Sequence, residues 1–126
     1  MTVLSELIEA VPYYRYLGLR PGADDDVVVI PGDDRQASQR RFVHGGVLTA
    51  LIEATGLLHL RATAAPQART GEITAAFLRP VKLADTNACA RIVHRGRRFA
   101  VLEITAWQDD PARPVAMGYG TWIIDP

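Results

Sequence analysis

Apolar residues recur at helical intervals twice in the first half of this chain, and in a two-residue alternation through most of the second. Leu4, Leu7, Ile8 and Val11 predict a short amphipathic helix over residues 3–11, stopped by Pro12. Residues 13–19 are aromatic and apolar. Pro21 and Gly22 break that run before a short strand at 26–30, and the polar, turn-rich stretch 31–41 reads as a loop. It leads into the one long helix the pattern predicts, residues 46–62, which contains no proline. Val47, Leu48, Leu51, Ile52, Thr55 and Leu58 form its broad apolar stripe, and Gly56 is tolerated at some cost.

Beyond Pro66 the rhythm changes. Four extended segments follow, at 72–81, 86–94, 98–108 and 115–124, with short turn-rich separators at 83–85, 95–97 and 109–114. That spacing predicts hairpins and an antiparallel meander. Ala100, Leu102, Ile104 and Ala106 fall on one face of their strand, with Val101, Glu103 and Thr105 on the other. A sheet with one apolar face must cover it, and the long helix is the only element large enough. The prediction is an α+β fold with a curved antiparallel sheet around a central helix. It forms one domain over residues 1–126: an N-terminal helix and aromatic segment (1–22), the central helix (46–62) and a four-stranded meander (72–124).

The chain's 126 residues suit one domain rather than two. Fourteen basic residues balance 14 acidic ones, and a net charge of +0 argues against a nucleic-acid binder. Lys82 is the only lysine. Arginine is the better fork for phosphate oxygens, although a coding bias explains its excess equally well. Cys89 stands alone, so no intrachain disulfide forms, and it reads as a small core residue in a reducing compartment. The first residues carry Glu6 and Glu9 without a basic stretch, unlike a secretory signal, and no apolar run approaches the ~20 residues of a membrane span. The expectation is a soluble, cytoplasmic protein. His44, His59 and His94 share no metal-ligand spacing with each other or with Cys89, so no metal is expected.

The chemistry gathers at Val43-His44-Gly45-Gly46 and along the helix that follows. Glycines at a helix start let the backbone approach a ligand, and the unpaired amides there suit a developing oxyanion. The triplet alone is as compatible with a plain turn. Glu53 shares a face with Gly46, Thr49, Ala50, Leu57 and Leu60, a small apolar surface where a carboxylate is unusual. Such a glutamate is exposed after all, salt-bridged, or retained for chemistry.

The ordered set of His44-Gly45-Gly46, Glu53, Thr70, Phe77-Leu78-Arg79-Pro80 and Gly96-Arg97 resembles the hotdog thioesterases of the phenylacetate-pathway and 4-hydroxybenzoyl-CoA types. The resemblance implies the hotdog architecture and homo-oligomers, dimers or tetramers, with active sites built across the dimer interface. It implies hydrolysis of an acyl-CoA, with CoA thioester as substrate and no other cofactor. Gly45 N–H would polarise the thioester carbonyl, and Glu53 of the facing subunit would activate water or attack the carbon itself. His44 and Gly46 would shape the turn. Thr70 either positions the water or is a strand-start hydroxyl. The family's asparagine or glutamine six residues before the histidine is replaced here by Ser38, with Gln36 and Gln39 beside it as alternative amides. Arg95, Arg97 and Arg98, with Arg79 next, are the candidates for the CoA phosphates, and Leu57, Leu60 and the aromatics near residues 13–16 for a medium-chain or aromatic acyl group.

Two other readings compete. A hotdog dehydratase uses an Asp and His pair, and no histidine follows Glu53 before His59. A non-catalytic acyl-CoA sensor would fit the loss of the amide at Ser38.

Overall fold

Thr2 caps the first helix: its hydroxyl accepts the Ser5 amide at 3.1 Å, while Ser5 Oγ accepts the Thr2 amide at 2.9 Å. This computed structural model describes residues 2–39, 41–63 and 65–125. Helix α1 spans Val3–Glu9 and buries Leu4 and Ile8. Pro12 ends that run and also begins another. It occupies the first turn of α2 (Pro12–Leu17), where a missing N–H costs nothing, and Gly18 closes the helix at φ 76°. The aromatic segment is therefore helical. It buries Tyr14 and Leu17 and leaves Tyr13 and Tyr16 outside.

Two short strands follow, β1 (Arg20–Pro21) and β2 (Val27–Ile30), the latter buried at all four positions. The central helix α3 runs Gly45–Thr63, close to its expected bounds. Leu48, Leu51, Ile52, Thr55 and Leu58 of the expected stripe are buried, with Val47 only partly so. Ala54, Gly56, Leu57 and Leu60 are buried as well, so apolar contacts surround the middle of the helix instead of one side. No helix among the described residues is long and apolar enough to cross a membrane.

The remaining strands are β3 (Arg69–Phe77), β4 (Thr86–Arg95), β5 (Phe99–Trp107) and β6 (Ala116–Ile123). They join one antiparallel sheet in the order β1-β2-β4-β5-β6-β3. The expected meander holds for β4, β5 and β6 only. Strand β3 starts and ends earlier than its predicted 72–81, and the connection 78–85, broken by Pro80, replaces a tight turn. The chain then crosses over, which leaves β3 at the far edge against β6.

Ala100, Leu102, Ile104 and Ala106 face α3 with 0% exposure, as their alternation predicts. Gly56 does more than survive in the helix. A Cβ there would lie 2.2 Å from Cζ2 of Trp122, the indole on β6 that fills the gap between helix and sheet. Cys89 corrects its core assignment: its neighbour Ala88 takes the inward position, and Cys89 is half-buried on the opposite face.

Candidate active site

Glu53 projects from the middle of α3 and is partly buried. Two hydroxyls from different elements hold its carboxylate. Thr70 Oγ1 donates to Oε2 at 2.5 Å, and the Tyr14 hydroxyl reaches both oxygens, 2.8 Å from Oε1 and 3.0 Å from Oε2. This is neither the exposed nor the salt-bridged alternative: a partly buried carboxylate is satisfied by neutral donors. The Tyr14 phenol resists ionisation strongly. Burial is the main cause, reinforced by the adjacent Glu53 charge and their hydrogen bond, with Arg61 opposing weakly.

Thr70 reaches Glu53 because β3 is irregular. Strict alternation would put Thr70 on the same side as exposed Glu72 and Thr74, away from inward Ile73 and Ala75. The register against β6 slips between Thr70 and Glu72, a bulge at Gly71 that turns Thr70 toward the helix. A side chain on Gly71 would meet the Thr121 carbonyl oxygen at 2.9 Å, so the bulge needs glycine.

At the start of α3, His44 Nδ1 accepts the Gly46 amide at 2.8 Å, and the His44 carbonyl accepts from Val47 and Leu48. His44 thus acts as the helix cap, and the Gly46 N–H is spent inside the turn. The Gly45 N–H finds no acceptor among the described residues, which leaves it as the open donor of the pair. Phe77 lies over Gly45, 3.2 Å from where a Cβ would stand. A groove of about 390 Å³ runs past this turn, bounded by Phe42, Gly45, Leu48, Phe77 and Arg79.

Gln36 is buried, and its amide is committed to structure. It donates to the Leu17 carbonyl at 3.0 Å and accepts the Asp33 amide at 3.1 Å, while its own carbonyl receives the His44 N–H at 2.7 Å. It therefore ties α2 to the turn through its side-chain amide. Ser38 is half-buried and Gln39 exposed on the same loop.

Leu57 is buried beside Glu53's face of α3, as is Leu60. Arg79 is exposed and donates to the Pro114 carbonyl at 2.6 Å. Arg95, Arg97 and Arg98 are exposed at the β4–β5 hairpin. Arg95 pairs with Ala100, Ala100 with Trp122 and Trp122 with Thr70, so the arginine hairpin lies at Thr70's end of the sheet, roughly 14 Å across three strand spacings. A separate cavity of about 350 Å³, lined by Leu4, Val28, Thr55 and Leu58, sits behind α3, away from Glu53.

Tyr14 is the site residue that sequence reasoning missed. Pro12 at the first turn and Gly18 after the last marked a helix, which would have put Tyr14 and Leu17 together on one face.

Residues 41–115 match the thioesterase superfamily model, more than half of the chain and all of its central helix. The chain belongs to the thioesterase superfamily. A putative esterase, SSO1253, from Saccharolobus solfataricus is 28% identical over 84 residues, which cover 66% of this chain but 55% of that protein. The chain thus spans about half the length of this curated relative. A thioesterase PA1618 mutant from Pseudomonas aeruginosa superposes with TM-score 0.84 at 26% identity, covering 96% of this chain and 93% of that one. The protein BH2602 of Bacillus halodurans, solved with CoA, gives TM-score 0.79 at 22% identity over 96% of this chain and 82% of that one. The fold of this thioesterase-superfamily chain is the hotdog, with two extra helices ahead of the matched segment.

Proposed function

We propose that the protein hydrolyses an acyl-CoA thioester to the free acid and CoA, with Glu53 as the acting carboxylate and the Gly45 N–H as oxyanion donor. The observation that carries this reading is the carboxylate itself, held in a partly buried site by Tyr14 and Thr70 with no cation paired to it among the described residues. A structural glutamate would normally gain an ionic partner or solvent, whereas this one keeps lone pairs for chemistry.

Both groups cannot serve one carbonyl from a single copy. Gly45 and Glu53 are eight residues apart on α3, about 12 Å along the axis, whereas a thioester needs its oxygen and carbon each within about 3 Å of them. The carboxylate therefore works with the Gly45 turn of a second copy, in a homo-oligomer. The thioester oxygen rests on the Gly45 amide. Glu53 either takes a proton from a water that attacks the carbonyl carbon, or attacks that carbon itself to form a mixed anhydride that water then cleaves to the free acid; in both routes the C–S bond breaks and CoA leaves as the thiolate. The CoA phosphates would fall to the exposed Arg95, Arg97 and Arg98 at the hairpin and to Arg79 at the groove. A medium-chain or aromatic acyl group suits the apolar surface at Leu57.

Ser38 stands at the family's amide position, and this missing amide, with the Gln36 side chain bonded to Leu17 and Asp33, favours an acyl-CoA sensor as the second reading. Thiol release from a panel of acyl-CoAs separates the two. Turnover that falls by at least about 1000-fold in Glu53→Gln, with analogue binding retained, supports the hydrolase. Thermal stabilisation by acyl-CoA without any turnover supports the sensor.

A further inference from the structure

We propose that Tyr14, on a helix outside the matched segment 41–115, is a positioning residue that fixes the rotation of the Glu53 carboxylate and leaves Oε1 as its reactive oxygen. This rests on the hydrolase reading above and adds to it the part played by the N-terminal helices.

A carboxylate held by one donor keeps freedom about its last side-chain bond, whose torsional wells are broad. Thr70 binds Oε2 alone. The Tyr14 hydroxyl, nearly equidistant from the two oxygens, adds a second anchor from another direction and closes that freedom. The division of donors is unequal: the one Tyr14 proton is shared between Oε1 at 2.8 Å and Oε2 at 3.0 Å, whereas the shorter Thr70 bond, 2.5 Å, goes to Oε2 alone. Oε1 therefore keeps the more available lone pair, whether it takes a proton from water or attacks carbon. Because the phenol holds its proton far above the ordinary tyrosine range, it donates throughout the working pH and never competes as a base.

Helix α2 is built to hold this hydroxyl still. The Gln36 side chain donates to the Leu17 carbonyl at 3.0 Å, the Arg35 guanidinium donates to the Tyr16 carbonyl at 2.9 Å, and the Tyr14 ring is buried to 3% exposure. The last turn of α2 is thus pinned to the loop that precedes His44. The positioning device and the oxyanion turn share one support.

Tyr14→Phe removes only the hydroxyl and keeps the buried ring, so the fold is retained. The steady-state assay is thiol release from an acyl-CoA that the wild type turns over. The expected result is a kcat lowered roughly 10- to 100-fold with KM within about twofold, because the carboxylate is misaimed while substrate binding is untouched. Thr70→Val acts on the same carboxylate, so the Tyr14→Phe/Thr70→Val double variant is expected to lose less than the product of the single losses. A kcat within about twofold of wild type, a loss borne by KM, or fully multiplicative single losses each overturn the proposal. Turnover by wild type that survives Glu53→Gln fails the hydrolase reading of Glu53 and takes this inference with it. A normal Glu53→Gln loss beside an unchanged Tyr14→Phe fails the inference alone.

Discussion

Glu53 shows how two uncharged hydroxyls can settle a carboxylate that pattern alone left open. Helical spacing put it on an apolar face, but its partners lie 39 and 17 residues away in the chain, at distances that periodicity does not report. The Tyr14 phenol carries a consequence for stability. Its ionisation in the unfolded chain occurs near the ordinary tyrosine value of 10.0, whereas burial beside Glu53 raises it in the folded protein. Below pH 10 both states hold the proton and nothing is lost. Above it only the unfolded chain releases the proton, so stability falls with rising pH, by on the order of 1 kcal/mol per pH unit until the folded phenol ionises. Urea unfolding at about pH 9 and pH 11 is expected to show this decline in wild type and a shallower one in Tyr14→Phe. Equal slopes would mean the phenol is free to ionise in the folded state.

Among the elements, β3 bears most on the site, through its one irregular position. Gly71→Val disfavours the bulge, because a Cβ there meets the Thr121 carbonyl oxygen at 2.9 Å, and with the residue count unchanged a regular ladder turns Thr70 to the outer side with Glu72 and Thr74. The expected outcome is a kcat lowered at least about tenfold, with the sheet still formed, measured by thiol release alongside circular dichroism. Retained activity would show that Thr70 reaches Glu53 without the bulge. Neither this bulge nor the placement of β3 was legible in the sequence. Alternation over residues 98–108 and helical spacing over 46–62 located β5 and α3 to within a residue or two, because each reflects contact with one core. Pairing is a different matter: a strand's neighbours depend on the path of its connection, and the short separator at 83–85 predicted a hairpin where the chain instead crosses over through 78–85. Gly56 was likewise legible only as a cost, since the need for it arises from Trp122, 66 positions later on another element.

At the scale of the whole molecule, the proposed pairing of Glu53 with the Gly45 amide requires a unit larger than one chain, because the two are about 12 Å apart along α3. Strand β3 offers a route to that larger unit. It lies at the sheet edge, its outer backbone is unpaired within the described residues, and no proline or lysine interrupts Arg69–Phe77. Complementation tests this directly. Gly45→Pro removes the proposed oxyanion donor at the first helical position, where proline fits, and the exposed Phe77 ring has room to move aside. Alone it is expected to lose about 100-fold in turnover, and Glu53→Gln alone to lose more. In a two-fold dimer that exchanges subunits, equal amounts of the two variants form mixed dimers half of the time. Each mixed dimer unites both defects in one site and leaves the other site intact. Activity should therefore recover to about a quarter of wild type after unfolding and refolding the mixture together. Recovery cannot occur if one chain supplies both groups, because every site would then carry one lesion. A refolded mixture no more active than its components, with subunit exchange verified by mass-labelled chains, would place the carboxylate and its oxyanion donor within a single copy.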